Sequence, residues 1–210
     1  MDTITAVSNG SQIMHMMTVI IVGLAMGTTV TIGHSVGAKC MEQAEKIIGN
    51  TITLFMGIAV AFTVILVVLV KPIVVLIAAP QEAVAGTSIY LLICFIGIPF
   101  ITAYNIISSI FRGLGDSKSP MYFIGIACVM NIALDYLFMG AFHMGAAGAA
   151  LGTVCAQTFS VLVALWVIRR RKTGISLKKS DFKIERAVIG QVLKLEFRWH
   201  CRTVLYRLHL

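Results

Sequence analysis

The chain has 210 residues, 58% of them hydrophobic and only 12% charged, with a formal net charge of +8. A soluble domain carries roughly 25% charged residues, evenly spread. Here Asp, Glu, Lys and Arg are absent from residues 3–38, 47–70, 83–111, 119–134 and 136–168, which excludes an ordinary soluble core. About 20 helical residues cross the ~30 Å hydrocarbon layer, so the runs predict a multi-pass cell-membrane protein. The positive charge does not indicate a nucleic-acid partner: most of the 17 basic residues follow the last apolar run, the asymmetry that orients a membrane protein.

In chain order, the first helix is predicted over residues 11–35. The leader before it has no positive n-region, so it does not read as a cleavable signal peptide. His15 and His34 have no ligand-spaced partner and read as packing or interface residues. The second helix is predicted over 50–70 and the third over 85–111.

The turn after the third helix, Arg112-Gly-Leu-Gly-Asp-Ser-Lys-Ser-Pro120, holds its own mechanism. Gly113 and Gly115 permit positive φ at the helix exit. Ser119 is placed to cap the next helix, and Pro120 suits its first turn. That fourth helix is predicted over 120–139, and a fifth over 146–168. Gly23/Gly27, Gly33/Gly37 and Gly148/Gly152 are GxxxG pairs of the kind that bring helices close in lipid.

Lys39 and Lys46, Arg112 and Lys118, and the Arg169-Arg-Arg-Lys172 run mark alternate connections. The positive-inside rule therefore puts those connections, and the basic segment 169–195, in the cytoplasm. Within that connector Ile184, Val188, Val192 and Leu195 form one stripe of an amphipathic surface helix. Residues 196–210 have neither a stripe nor a span-length run and read as an anomalous tail. The five cysteines show no ligand spacing and read as packing residues. No nucleophile–base pair, metal cluster or phosphate-binding glycine loop is present, so an enzyme is not expected.

Asp135 is the one acidic residue well inside a span. An Asp at a helix centre costs ~2.5–3.5 kcal/mol on insertion scales, and such residues mark ion or proton paths. Asn131 lies one turn earlier on the same face. At ~1.5 Å per residue, Asp135 is ~7 Å and Asn131 ~13 Å from the outer end of the fourth helix, with Thr153 ~10 Å and Gln157 ~16 Å deep on the fifth. A carboxylate, an amide oxygen and a hydroxyl suit Na⁺, and the same carboxylate can instead carry a proton. Thr153 and Gln157 also serve, on another reading, as interhelical hydrogen-bonding residues.

The segment from Phe111-Arg-Gly-Leu-Gly-Asp116 to Pro120 is similar to the FRGxGD…P turn of the multidrug and toxic compound extrusion (MATE) family of secondary transporters. Asn131 and Asp135 follow at that family's distance. Gly145-Ala-Ala-Gly-Ala-Ala-Leu-Gly-Thr153 resembles the start of its sixth helix. Gly27, Gly37-Ala38 and Ala44 resemble the loop after its second. The resemblance runs from about residue 6 to residue 195.

It implies an all-α membrane fold of twelve helices in two six-helix lobes, of which the five helices here are the second to sixth. It also implies an antiporter that exports organic, often cationic, compounds in exchange for Na⁺ or H⁺, with no other cofactor. The cation site would use Asp135, Asn131 and Thr153, together with an Asp on a first helix that this chain does not contain. Neither that helix nor a second lobe has a counterpart here, and Leu193-Lys-Leu195 runs into Glu196-Phe-Arg-Trp-His200 where the family continues with Gly and Pro. The expectation is therefore a truncated, inactive piece with a frameshifted tail, its second lobe either lost or supplied by another chain. A related flippase of lipid-linked precursors is the alternative transporter. The predicted helices lack the Lys and Arg that such cavities use. The remaining alternative is a non-functional membrane fragment.

Overall fold

A computed structural model describes residues 2–76, 81–170 and 190. Apart from Gly190, the basic connector beyond Arg170 and the 196–210 tail lie outside the described residues. Every element among them is helical: α1 (Asp2–Gly37), α2 (Met41–Leu76), α3 (Gln81–Gly113), α4 (Lys118–Asp135) continued by a π-turn (Tyr136–Ala141), and α5 (Gly145–Arg170). All five helices are long and apolar enough to cross a membrane.

The first two helices outrun the spans predicted for them, 11–35 and 50–70. α1 and α2 each have 36 residues, ~54 Å at 1.5 Å per residue, well beyond the hydrocarbon thickness. The extra turns carry polar residues in α1 (Thr5, Ser8, Asn9) and charged ones in α2 (Glu42, Glu45, Lys46, Lys71) that suit the headgroup region and water. At the start of α2, Glu42 and Lys46 form an i,i+4 ion pair of 3.6 Å, the spacing and order that support an exposed helical turn.

α3 is the central helix, packed against α1, α2 and α5, while α4 leans chiefly on α5. Leu91 and Phe95 of α3 are fully buried, whereas Val68, Val75, Met121 and Tyr136 are more than two-thirds exposed. Apolar side chains exposed in such numbers would be untenable in water and mark the surface that faces lipid. Small residues make the closest contacts. A Cβ on Gly97 would lie 2.5 Å from Val154, and one on Gly113 would lie 2.8 Å from Ile32. Of the sequence-paired glycines, Gly148 and Gly152 both meet the end of α4, whereas nothing lies within 4 Å of a Cβ on Gly37. Cys94 is buried, while Cys40, Cys128 and Cys155 are exposed.

The turn from Arg112 to Pro120 differs in detail from the sequence expectation. Only Gly115 takes positive φ, at 88°. Gly113 stays helical, and its missing side chain serves instead to bring α3 onto α1. The cap of α4 is not Ser119. Asp116 Oδ1 accepts from the backbone N–H of Lys118 at 3.1 Å and of Ser119 at 3.0 Å. Ser119 sits inside the first turn and donates its hydroxyl to Asp116 Oδ2 at 2.5 Å. A carboxylate accepts from several donors at once and suits the positive end of the helix dipole, so it takes the capping role from the hydroxyl. Arg112 Nη2 donates to Ser109 Oγ at 3.2 Å.

At the other end of α4 the sequence predicts a regular α-helix as far as Met139. The chain instead widens into a π-turn directly after Asp135, closed by Phe142 N–H to Leu137 O at 3.0 Å. The wide turn accommodates the close approach of Phe138 to Gly148, where a Cβ would stand 3.1 Å from the Phe138 backbone.

Candidate cation site

α4 and α5 are antiparallel neighbours, and their polar residues, each partly buried, meet where the two helices touch. Asn131 Nδ2 lies 3.5 Å from Thr153 Oγ1, at the long limit of a hydrogen bond. The Thr153 hydroxyl donates to the carbonyl of Ala149 at 3.0 Å, which leaves its lone pairs facing Asn131. One turn along α4, Asp135 Oδ1 is buried without a hydrogen-bond partner. It rests against Gly152, the residue beside Thr153, so closely that a Cβ there would overlap it.

Asn131, Asp135 and Thr153 thus come together. Gln157 stands a turn deeper on α5, and its Oε1 is buried with no partner. An unpaired buried polar atom is costly, and Asp135 Oδ1 is the one carboxylate oxygen among the nine such side-chain atoms of the described residues. The donor set available is one carboxylate and neutral oxygens, which suits a hard cation. Among the described residues no group of three or more His, Cys, Asp or Glu gathers, so a thiolate or imidazole metal centre is not formed there. The turn residues Arg112, Gly113, Gly115, Asp116 and Pro120 build the connection into α4 and take no part in this constellation.

Sequence reasoning missed two contributors. Tyr90 and Cys94, one turn apart on α3, are both buried, and the Tyr90 hydroxyl lies within electrostatic reach of Asp135. Their i,i+4 spacing was visible, but nothing in the sequence aimed α3 at this end of α4. Gly152 was visible only as a packing residue.

Five membrane-length helices among the described residues define a polytopic membrane protein. The family model described as MatE matches residues 2–137, and the chain belongs to that family, whose members are transporters rather than enzymes. It is 33% identical over 170 residues to the probable multidrug resistance protein YpnP of Bacillus subtilis (strain 168), covering 80% of this chain and 38% of that protein. It is 28% identical over 201 residues to the probable multidrug resistance protein YoeA of the same strain, covering 92% and 43%.

Among solved structures, the inward-facing conformation of a multidrug resistance MATE family transporter of the MOP superfamily superposes with a TM-score of 0.87. The two are 23% identical, over 93% of this chain and 45% of that one. The outward-facing conformation of such a transporter gives a TM-score of 0.83 at 24% identity, over 93% and 46%. These likenesses show a shared fold. The chain spans about two fifths of the length of the curated relatives and under half of the solved chains.

Proposed function

We propose that this chain supplies the cation-holding part of a multidrug efflux antiporter driven by Na⁺ or H⁺. Asp135 is the coupling carboxylate, and Asn131 and Thr153 are supporting ligands. The observation that carries this reading is Asp135 Oδ1, buried at the α4–α5 contact without a partner and seated beside the Asn131–Thr153 pair. A carboxylate inside a membrane span is retained where an ion or proton needs it. In alternating access, loading and emptying that carboxylate biases the helices between their packings, and an organic cation leaves on the return step.

The positive-inside rule supports an orientation with the Ala38–Cys40 and Arg112–Pro120 connections and the basic C-terminal segment in the cytoplasm. The described basic side chains lie toward helix ends or in connections, which favours export of organic compounds over flipping of phosphate-bearing lipids. Transport itself is a property of the two-lobe protein, with the substrate held between lobes.

The test is efflux of a fluorescent organic cation from proteoliposomes that hold a two-lobe transporter containing this segment. Asp135→Asn should abolish efflux driven by a Na⁺ or H⁺ gradient while the protein still inserts. Normal efflux by that variant would remove Asp135 from the coupling role.

A further inference from the structure

Gly152 lacks a side chain at the one place where any side chain would collide with the coupling carboxylate. A Cβ built on it would take the place of Asp135 Oδ1, and would stand 3.3 Å from Asp135 Cγ and 3.4 Å from its backbone nitrogen. One turn earlier on α5, a Cβ on Gly148 would stand 3.1 Å from both the backbone and the Cβ of Phe138. Phe138 belongs to the π-turn that starts at the residue after Asp135, and single π-turns in otherwise α-helical segments occur often at functional sites. Two glycines and one widened turn therefore press the end of α4 onto the backbone of α5. The result is a carboxylate oxygen that is buried, unpaired and laid beside Thr153, whose hydroxyl already meets Asn131.

We propose that Gly152 is a positioning residue of the cation site: its bare backbone is the seat that holds the Asp135 carboxylate within reach of the cation that Asn131 and Thr153 also face. This rests on the reading of Asp135 as the coupling carboxylate. A glycine that served only helix packing would admit Ala wherever the neighbour could shift. Here the neighbour is the ligand itself, so Ala must turn the carboxylate out of the site. The side chain at this position therefore decides whether the site can close on a cation.

The test uses the full 210-residue chain in detergent, with Na⁺ as probe and thermal unfolding in NaCl against choline chloride as readout. Na⁺ should raise the midpoint of the native chain. Asp135→Asn should lose that response. Gly152→Ala should need at least tenfold more NaCl for the same shift, with its helical content unchanged.

A second comparison separates positioning from packing. Without Na⁺, Gly152→Ala should lower the midpoint in the native background and much less in an Asp135→Ala background, where the space is free. A native Na⁺ response in Gly152→Ala, or an equal penalty in both backgrounds, overturns the proposal and leaves Asp135 in its role. A native response in Asp135→Asn overturns the reading of Asp135, and the proposal with it.

Discussion

Thr63 on α2 donates its hydroxyl to the carbonyl of Phe95 on α3 at 3.1 Å. That carbonyl lies four residues before Pro99, a proline inside α3, so the ring nitrogen that should serve it carries no hydrogen. In lipid no water can take its place, and a freed backbone group must find another partner inside the protein. A threonine on the neighbouring helix fills the gap and ties α2 to α3 at that level. Thr63→Val keeps the shape and removes the donor. Interhelical bonds of this kind contribute about 0.6 kcal/mol and at most ~1.7. The expected result is a lowered unfolding midpoint in detergent, largely relieved in a Pro99→Ala background where the helix serves Phe95 itself.

The cap of α4 yields a second expectation. Asp116 accepts from two backbone N–H groups and one hydroxyl, so Asp116→Ala should cost about 1 kcal/mol. Asp116→Asn should cost less, because an amide oxygen still accepts. Ser119→Ala removes only the hydroxyl contact and should be the mildest of the three. Thermal unfolding of the three variants orders them, and a larger loss in Ser119→Ala than in Asp116→Ala would refute the assignment.

Two glycines in the same turn should fail for different reasons. Gly113→Ala places a methyl group 2.8 Å from Ile32 and 3.1 Å from the Thr29 carbonyl, an overpacking cost of ~1–3 kcal/mol. Gly115→Ala meets nothing within 4 Å but must hold φ near 88°, a strain of roughly 1–2 kcal/mol. Ile32→Ala removes the Cγ2 contact at 2.9 Å but keeps the Cβ contact at 2.8 Å, so it should relieve the first variant only in part and leave the second unchanged.

Within the cation site the ligands are not equal. Among the described ligands Asp135 supplies the only charge, so its loss should abolish the response to cation. Asn131→Ala and Thr153→Val each remove one neutral oxygen and should weaken the apparent affinity about tenfold, ~1.4 kcal/mol. Titrations of cation-dependent efflux in the two-lobe protein measure both. An Asn131→Ala loss as complete as that of Asp135→Asn would mean that the amide orients the carboxylate and does more than assist it.

Orientation is open to a direct check. Cys40 is exposed in the connection between α1 and α2. On the positive-inside reading it faces the cytoplasm. A membrane-impermeant thiol reagent should label it in inverted vesicles and spare it in intact cells. Labelling in intact cells would reverse the topology.

Much of this molecule is legible in its sequence because a bilayer is a severe solvent. Runs free of charge and of span length admit no fold but membrane helices, and the five helices stand where those runs do. Asn131, Asp135, Thr153 and Gln157 are conspicuous for the same reason: a polar residue in such a run is costly, so its position carries information. The helix ends were less legible. The polar turns that extend α1 and the charged turns that extend α2 beyond the hydrocarbon leave no hydropathy signal, and the capping role of Asp116 over Ser119 depends on how the turn closes.

What the sequence by itself determined is the class of fold, the charge asymmetry and the residues that lipid would not tolerate without a purpose. All of these follow from transfer energies summed along a chain, with no need for its neighbours. Tertiary structure alone decided which of those residues share a site. The Asn131–Thr153 contact and the close approach of Gly152 to the Asp135 carboxylate depend on interhelical register. That register is set by the packing of α4 and its π-turn on the two glycines of α5. Contacts this close are matters of a few tenths of an ångström between elements, and no periodicity along a single chain contains them.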